Sequence, residues 1–244
     1  MRDGESERLG AESTASLPRS ERACRRTTAV PFLSELPECG FGDSCHVGCM
    51  ESVDAFVFDC EGVIWKGGDQ LIDGVSETLH FLRSKSFVTN NSTKSRSQYA
   101  AKFLCLGISV SQDEIFSSSF AAAIYLKSIQ FPSQNKVYVI GCEGILEELH
   151  LAGFTPLGGP EDANKTVELK ENRFFLQDKT VGAVVAGLDQ YISLYKLQYA
   201  TLCIRENPGC LFIATNRDAV GNMTSLQEWP GAGCMIVLGY YLFN

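Results

Sequence analysis

From Val53 onwards, the chain alternates short apolar runs with segments whose apolar residues recur at helical spacing. The first run, Ala55–Phe58, is of the kind that a parallel sheet buries on both faces. Val75–Lys85 follows with helical spacing, and Phe87–Thr89 is a second, very short apolar run. Because strands that alternate with helices pair in parallel, the pattern predicts an α/β fold.

Helix starts are expected after the second run. Asn91 or Ser92 can cap a helix that ends just before Gly107. Ser111–Glu114 has the spacing of a capping box and predicts another helix that continues through Leu126. A second alternating set is predicted at Val137–Ile140, Ile145–Leu151, Ala183–Ala186, Ser193–Ile204 and Leu211–Ala214, with a small hairpin near Val167–Phe175.

The first fifty residues differ from the rest of the chain. They are rich in Ser, Glu, Arg, Gly and Cys without a sustained period, which predicts a disordered tail over 1–50. Their acidic residues argue against a transit peptide. A zinc site at Cys39, Cys45, His46 and Cys49 is the alternative, but this spacing matches no standard ligand pair.

Composition narrows the class of partner. A net charge of −8 argues against nucleic-acid binding and means that a phosphate must be held by local groups. The ten cysteines are scattered and form no CxxC pair, so reduced thiols are expected. No stretch approaches the roughly 18 apolar residues of a membrane helix, and we expect no membrane partner.

Two acids follow the first apolar run in the stretch D-C-E-G. Ligands collect beyond the carboxyl ends of parallel strands, where the carboxylate of Asp59 is expected to stand. A carboxylate nucleophile can take a phosphoryl group, and Glu61, two residues on, can supply the acid and base. Gly62 lets the backbone turn and present amides to a phosphate. The alternative is a plain surface turn.

The second apolar run also opens into polar residues. Thr89, Asn90 and Asn91 place a hydroxyl, two amides and free backbone N–H groups at a strand end that leads into a helix, which is a standard anion site. Two such strand ends in succession favour the catalytic interpretation of D-C-E-G over the surface turn.

The stretches D-C-E-G-V-I-W-K-G and F-V-T-N-N-S-T-K-S-R resemble motifs I and II of the haloacid dehalogenase-type phosphatases. Within that superfamily the chain is similar to the phosphoglycolate phosphatase and 4-nitrophenylphosphatase group, and the plant-type phosphoglycolate phosphatases look closest. The resemblance covers about Val53–Met235. It implies a Rossmannoid parallel sheet with an inserted α/β cap domain of the C2 type.

The resemblance also implies roles for individual residues. Asp59 matches the nucleophile that also binds Mg²⁺. Glu61 stands at the second acid, which serves as general acid/base and contributes its backbone carbonyl to the metal. Thr89, with Asn90 and Asn91, matches the phosphate-binding motif. The implied reaction is Mg²⁺-dependent hydrolysis of a small phosphorylated metabolite, 2-phosphoglycolate first, a photorespiratory substrate.

The implied domain division is a core over 51–115, a cap over 116–231 and a divergent end over 232–244. Arg205 and Arg217 are cap candidates for a substrate carboxylate, since guanidinium binds carboxylate bidentately. The alternative for both is a solvated surface arginine. Tyr191, Tyr195 and Tyr199 have helical spacing and are interpreted as cap packing or an interface.

Three departures from the family weaken the catalytic expectation. Glu61 stands where the family has Asp, and a misplacement of about an ångström can cost about 10²-fold in rate. The link before Phe87 is short, so little more than Phe87–Thr89 is expected to remain of the second strand. After Met235 the motif III lysine and the motif IV acids do not follow; the sequence reads I-V-L-G-Y-Y-L-F-N.

These departures predict an incomplete sheet, with Ala55–Phe58 at an exposed edge of an unstable core. The second hypothesis is therefore a truncated, non-catalytic pseudo-phosphatase that acts at most as a binding module or forms homo-oligomers through the cap. Cytoplasm is the expected compartment, with the chloroplast as the alternative.

Overall fold

The computed structural model describes residues 54–67, 70–82, 84–171, 173–221, 223–224 and 226–243. The predictions for 1–50, including the cysteine and histidine group, lie outside these residues. The described part is an α/β structure with two separate parallel sheets, and the predicted fold class is confirmed. Within this part, no helix has both the length and the apolar character needed to cross a membrane.

Strands and helices alternate along most of the described chain. The strands are β1 (Phe56–Asp59), β2 (Trp65–Lys66), β3 (Gln70–Leu71), β4 (Lys85–Thr89), β5 (Ile115–Ser117), β6 (Lys136–Ile140), β7 (Thr155–Gly158), β8 (Val181–Ala186), β9 (Leu211–Ala214), β10 (Val220–Gly221) and β11 (Trp229–Pro230). The helices are α1 (Val75–Phe81), α2 (Arg96–Cys105), α3 (Ser118–Ser128), α4 (Glu143–Leu151), α5 (Leu194–Glu206) and α6 (Ala232–Phe243).

The first sheet has the order β1-β4-β5, and its strands pair in parallel. Trp65, Phe87 and Phe103 are buried in the cluster that packs against it. Among the described strands β1 lies at the edge, where Val57 is 64% exposed. The exposed edge that the sequence predicted is therefore present in this part of the chain.

The second strand of this sheet is longer than the sequence predicted. Strand β4 starts at Lys85, and all four residues of β1 pair with it, from Phe56 opposite Lys85 to Asp59 opposite Val88. The expectation of a strand reduced to Phe87–Thr89 was wrong. The helix before it is shorter than predicted: α1 ends at Phe81 rather than at Lys85, which leaves Lys85 and Ser86 for the strand.

Helix α2 starts later than predicted, and Ser95 caps it in place of Asn91 or Ser92. The Ser95 hydroxyl oxygen accepts from the backbone N–H of Gln98, and the Gln98 side-chain oxygen accepts from the backbone N–H of Ser95. The side chain of Asn91 instead closes a turn by accepting the Thr93 amide at 2.9 Å. A complete capping box satisfies two helix-terminal groups, which explains why Ser95 outcompetes the earlier residues.

The capping box at Ser111–Glu114 is present, but it starts a three-residue 3₁₀ turn rather than a long helix. Strand β5 follows, with Ile115 buried beside β4, and α3 begins only after Ser117. The prediction of one continuous helix was wrong because a buried strand interrupts it. The division predicted between residues 115 and 116 also falls inside this strand.

The second sheet has the order β7-β6-β8-β9 and is parallel throughout. Helices α3 and α4 cover one face, where Leu126 and Ile145 pack with Val185. Helix α5 covers the other face, where Cys203 packs with Val184 and the partly buried Ile236 of α6 joins them. Three of its four strands, β6, β8 and β9, were predicted from apolar runs and are confirmed, apart from shifts at their ends.

Several features of the second unit, which is the second sheet together with helices α3 to α6, were not predicted. Strand β7, which carries Pro156 and Gly158, was not predicted, and α6 lies in the segment left without assigned structure. The described residues between 167 and 175 form no strand, so the predicted hairpin is absent there. Tyr195 and Tyr199 pack beside Phe175, as the cap-packing interpretation requires, whereas Tyr191 precedes α5.

Candidate active site

The carboxyl ends of β1 and β4 form one rim of the first sheet. Asp59 ends β1 and lies opposite Val88, one residue before Thr89 at the end of β4. Asp59, Thr89 and Asn90 line a cavity of about 450 Å³ together with Phe116 and Ser118. The structure therefore brings the predicted nucleophile and two predicted phosphate-binding residues to the same cavity.

The carboxylate of Glu61 is held by three side-chain donors. The Thr89 hydroxyl donates to Oε2 at 2.6 Å, while the Asn91 amide and the Tyr99 hydroxyl donate to Oε1 at 3.2 and 3.1 Å. Tyr99 is 1% exposed and stacks on Trp65, so its position is fixed by packing. The hydroxyl predicted to bind phosphate thus faces the second acid.

Asn90 is engaged from three sides. Its amide donates to the carboxylate of Asp218, and its backbone oxygen accepts from Asn216 at 2.7 Å and from Ser118 at 2.6 Å. These partners come from the segment after β9 and from the start of α3. The predicted phosphate-binding residue is therefore also the point where the second unit meets the rim.

Gly62 shapes the loop after β1, as predicted, but its amide serves the loop itself. Its φ of +84° lies in the left-handed region that favours glycine. Its N–H donates to the Trp65 oxygen at 2.8 Å, and the Ile64 amide donates to the Cys60 oxygen at 2.9 Å. The loop closes on its own backbone, and the Gly62 amide does not point to the cavity as an open donor.

The two cap arginines are placed very differently. Arg205 lies in the last turn of α5, where neighbouring Glu206 pairs with Lys179 at 2.9 Å beside the start of β8. This is the end of the second sheet opposite the rim, so Arg205 does not meet the site. Arg217 is exposed between Asn216 and Asp218, the residues that contact Asn90.

Burial and neighbouring charges shift the pKa values of Asp59, Cys60 and Tyr99. Loss of solvent raises the pKa of the Asp59 carboxyl above its usual value of 3.8; the Cys60 amide opposes this, and the Glu61 charge adds to it. Burial, reinforced by the same two acids, raises the pKa of the Cys60 thiol, so this cysteine stays protonated. Burial and the Glu61 charge also raise the pKa of Tyr99, which keeps its hydroxyl a donor.

The profile of the haloacid dehalogenase-like hydrolases matches residues 56–155. Phosphoglycolate phosphatase 2 of Arabidopsis thaliana is 69% identical over 191 residues, covering 76% of this chain and 63% of that protein. The crystal structure of a hypothetical protein from Pyrococcus horikoshii OT3 is 33% identical, with a TM-score of 0.61 over 78% of this chain and 68% of that one. The chain belongs to the haloacid dehalogenase-like hydrolases.

A further relative of known structure is the glycerol phosphate phosphatase of Mycobacterium tuberculosis in complex with magnesium. It is 28% identical with a TM-score of 0.62, and the match covers 79% of this chain and 53% of that protein. The chain thus spans less than two thirds of the length of the Arabidopsis and Mycobacterium proteins.

The donor set around Asp59 does not form a complete magnesium site within the described residues. No group of three Asp, Glu, His or Cys side chains that could hold a metal occurs in that part of the chain. Of the two predicted ligands, Glu61 has a side-chain carboxylate that accepts from three donors, whereas its predicted metal contact is through the backbone carbonyl. Mg²⁺ commonly binds through one or two protein carboxylates together with waters and substrate phosphate oxygens, so Asp59, which lines the cavity, is the described side chain that fits part of such a site.

Sequence reasoning missed three residues of this haloacid dehalogenase-like site. Tyr99 reaches Glu61 from α2, while Asp218 and Ser118 reach Asn90 from distant segments. Tyr99 and Phe103 stand four residues apart on the buried face of α2, which indicates packing but not that the hydroxyl finds a carboxylate. The contacts of Asp218 and Ser118 depend on how the second unit sits on the first.

Proposed function

We propose that this site hydrolyses small phosphate monoesters, with 2-phosphoglycolate as the first candidate substrate. The observation that carries the proposal is the shared cavity: the Asp59 carboxylate and the Thr89–Asn90 rim line it together at the ends of two paired strands. The name of the Arabidopsis relative supports the choice of substrate.

In the proposed reaction, an Asp59 oxygen bonds to phosphorus while the bond from phosphorus to the ester oxygen breaks. Glu61 gives the leaving oxygen its proton. Water then attacks the aspartyl-phosphate, gives a proton to the Glu61 carboxylate and releases inorganic phosphate. Glu61 must leave its hydrogen bonds with Thr89, Asn91 and Tyr99 to act, so we expect slow turnover.

A divalent cation, Mg²⁺ first, remains part of the proposal because a relative of known structure binds magnesium. When bound, it would neutralise charge on the phosphoryl oxygens. Asp59 is the residue placed to hold it, with Glu61 as the second predicted ligand. No step above depends on the cation, since the described residues do not complete its site.

A second candidate function is phosphate binding without catalysis. The hydroxyl of Thr89 and the amide of Asn90, both predicted to bind phosphate, donate to the carboxylates of Glu61 and Asp218. A site whose donors are occupied in this way favours a pseudo-phosphatase. Such a protein would bind inorganic phosphate weakly and would not form a phosphoenzyme.

The two candidates separate in one experiment. The full chain is incubated with p-nitrophenyl phosphate or 2-phosphoglycolate and Mg²⁺, and phosphate release is compared with Asp59→Asn and with the control Asp73→Asn, an exposed acid outside the site. Turnover that Asp59→Asn abolishes and Asp73→Asn retains supports hydrolysis. Equal phosphate release by all three proteins contradicts it, and binding of inorganic phosphate without turnover supports the pseudo-phosphatase.

Assembly and compartment stay predictions. The segment between β7 and β8 exposes Leu169, Phe174 and Leu176 by 82 to 91%, which supports a homo-oligomer through the second unit. Sedimentation of the chain as a monomer at high concentration would contradict it. Cytoplasm, with the chloroplast as the alternative, rests on the sequence alone.

A further inference from the structure

The rim loop, residues 90–95, joins β4 to α2 and carries Asn90 and Asn91. On one side it meets the first sheet, where the backbone N–H of Asn91 donates to the Thr89 hydroxyl oxygen at 3.1 Å. On the other side it meets the second unit, where Thr215 donates to Ser92 at 3.1 Å. The loop is thus enclosed between the two sheets rather than free at the surface.

Helices α3 and α4 bind the backbone of the rim loop directly. The Gly144 amide donates to the Thr93 oxygen at 3.2 Å, and the Ser119 hydroxyl donates to the Lys94 oxygen at 2.8 Å. A Cβ on Gly144 would lie 2.2 Å from the carbonyl carbon of Lys94, so this approach requires glycine. Both contacts come from helices that pack on the second sheet.

A buried ion pair fixes the end of the same loop. The Glu148 carboxylate of α4 accepts from the Arg96 backbone amide at 2.6 Å and from the Arg96 Nε at 3.2 Å. The side chains of Glu148 and Arg96 are 1% and 17% exposed, and the Arg96 guanidinium lies 3.6 Å from the ring centre of Phe120 on α3. One carboxylate therefore holds both the backbone and the side chain where α2 begins.

We infer that Gly144 and Glu148 are positioning residues for the rim loop: α4 holds Asn90 and Asn91 at the cavity by binding Thr93 and Arg96. The other contacts of the loop bind Asn90, Asn91, Ser92 and Lys94, whereas the backbone at Thr93 and Arg96 is held from α4. Ser92 and Ser95 are buried, Asn91 and Thr93 are half-buried, and Asn90 and Lys94 are exposed. Without the contacts from α4, the loop loses its order while both sheets stay folded. This inference concerns the loop itself and goes beyond the proposed hydrolysis.

Hydrogen exchange of the full chain tests the inference without requiring activity. Glu148→Gln removes the charge but keeps the shape, and we expect exchange in peptides covering 90–97 to rise at least about tenfold, because hydrogen bonds to charged groups contribute most. The control is Glu206→Gln, which makes the same chemical change at the pair with Lys179, at the end of the second sheet opposite the rim. Exchange that is unchanged in Glu148→Gln, or that rises equally in Glu206→Gln, overturns the inference.

A second pair of variants tests the close approach. Gly144→Ala should raise exchange in the same peptides by forcing α4 away from Lys94. Gly182→Ala is the control for a crowded Cβ outside the loop, where the Cβ would lie 2.6 Å from the Asn135 side-chain nitrogen, a milder clash than that with the Lys94 backbone. Order in the rim loop that survives Gly144→Ala contradicts the inference.

Phosphate binding gives an independent readout that rests on the proposed function. Calorimetry with inorganic phosphate should show weaker binding in Glu148→Gln and Gly144→Ala than in the two controls. If the parent chain binds no phosphate, the proposed function fails, whereas the exchange measurements still decide the role of Glu148. Loop disorder together with unchanged phosphate affinity would overturn the claim that α4 positions the binding residues.

Discussion

One methylene group decides what Glu61 can contact. Its carboxylate reaches Thr89 at 2.6 Å and Tyr99 at 3.1 Å from a loop that closes at Gly62. An aspartate on the same backbone ends about 1.5 Å earlier, since one carbon–carbon bond is lost. The longer acid therefore occupies a hydroxyl that a shorter one would leave open to the phosphoryl group.

Glu61→Asp should release Thr89 and increase function at the site. We expect turnover of p-nitrophenyl phosphate to rise about tenfold to a hundredfold, because misplacement of an ångström costs about 10²-fold. The control is Glu77→Asp, an exposed position on α1 that makes the same chemical change outside the rim. Unchanged or lower turnover in Glu61→Asp would show that Glu61 does not obstruct Thr89.

Asp178 makes stability depend on pH at acidic values. Hydrogen bonds lower the pKa of the Asp178 carboxyl from 3.8 to about 2. The largest effect comes from Lys136, and smaller ones come from the Thr180 side chain and the Thr180 backbone N–H. A depressed folded-state pKa means that the stabilisation is present above about pH 4 and is lost as the pH falls towards about 2. The pair is partly exposed, so added salt should weaken the effect.

Asp178→Asn should accordingly flatten this dependence. We expect its free energy of unfolding to fall less steeply between about pH 4 and about pH 2 than that of the parent. Urea titrations at several pH values measure both slopes, with Glu171→Gln, an exposed acid, as the control. Parallel slopes for the parent and Asp178→Asn would remove Asp178 as the cause.

At the scale of single elements, the two capping boxes offer a matched comparison. The box at Ser95 is buried and starts the ten-residue α2, whereas the box at Ser111 is exposed and starts a three-residue turn. Ser95→Ala should lower the free energy of unfolding by about 1 kcal/mol, the usual cost of losing a cap. Ser111→Ala should cost less, and a loss equal to that of Ser95→Ala in urea titrations would contradict this ranking.

Apolar runs predicted the strands well because burial on both faces leaves a strong local pattern. Strands β6, β8 and β9 were found this way, whereas β7 was missed because Pro156 and Gly158 disrupt its run. The residues of the site differ in the same way, according to whether a local pattern marks them. Asp59 and Thr89 were predicted because strand ends are local features, while the partners Tyr99 and Asp218 depend on tertiary packing that no local pattern records.

At the scale of the molecule, the two sheets differ in how well they are covered. Strands β6 and β8 are buried almost throughout, and Val184 is 0% exposed, whereas alternate residues of β1 are exposed and Val57 is 64% exposed. The second unit also contains the ion pair of Lys196 and Asp189, whose side chains are 0% and 2% exposed. Removing one partner of a buried ion pair leaves the other charge buried and uncompensated. Breaking this pair should therefore lower the free energy of unfolding of the second sheet strongly.

Native-state hydrogen exchange in increasing urea should therefore show two transitions. Amides of β1 should open at lower urea than those of β6 and β8, because fewer buried apolar contacts hold β1 in place. Asp189→Asn should move the β6 and β8 transition to lower urea by an amount equivalent to about 3 to 5 kcal/mol and leave β1 unchanged, because it strands the buried charge of Lys196. A single transition shared by all three strands, moved as a whole by Asp189→Asn, would show instead that the two sheets unfold as one cooperative unit.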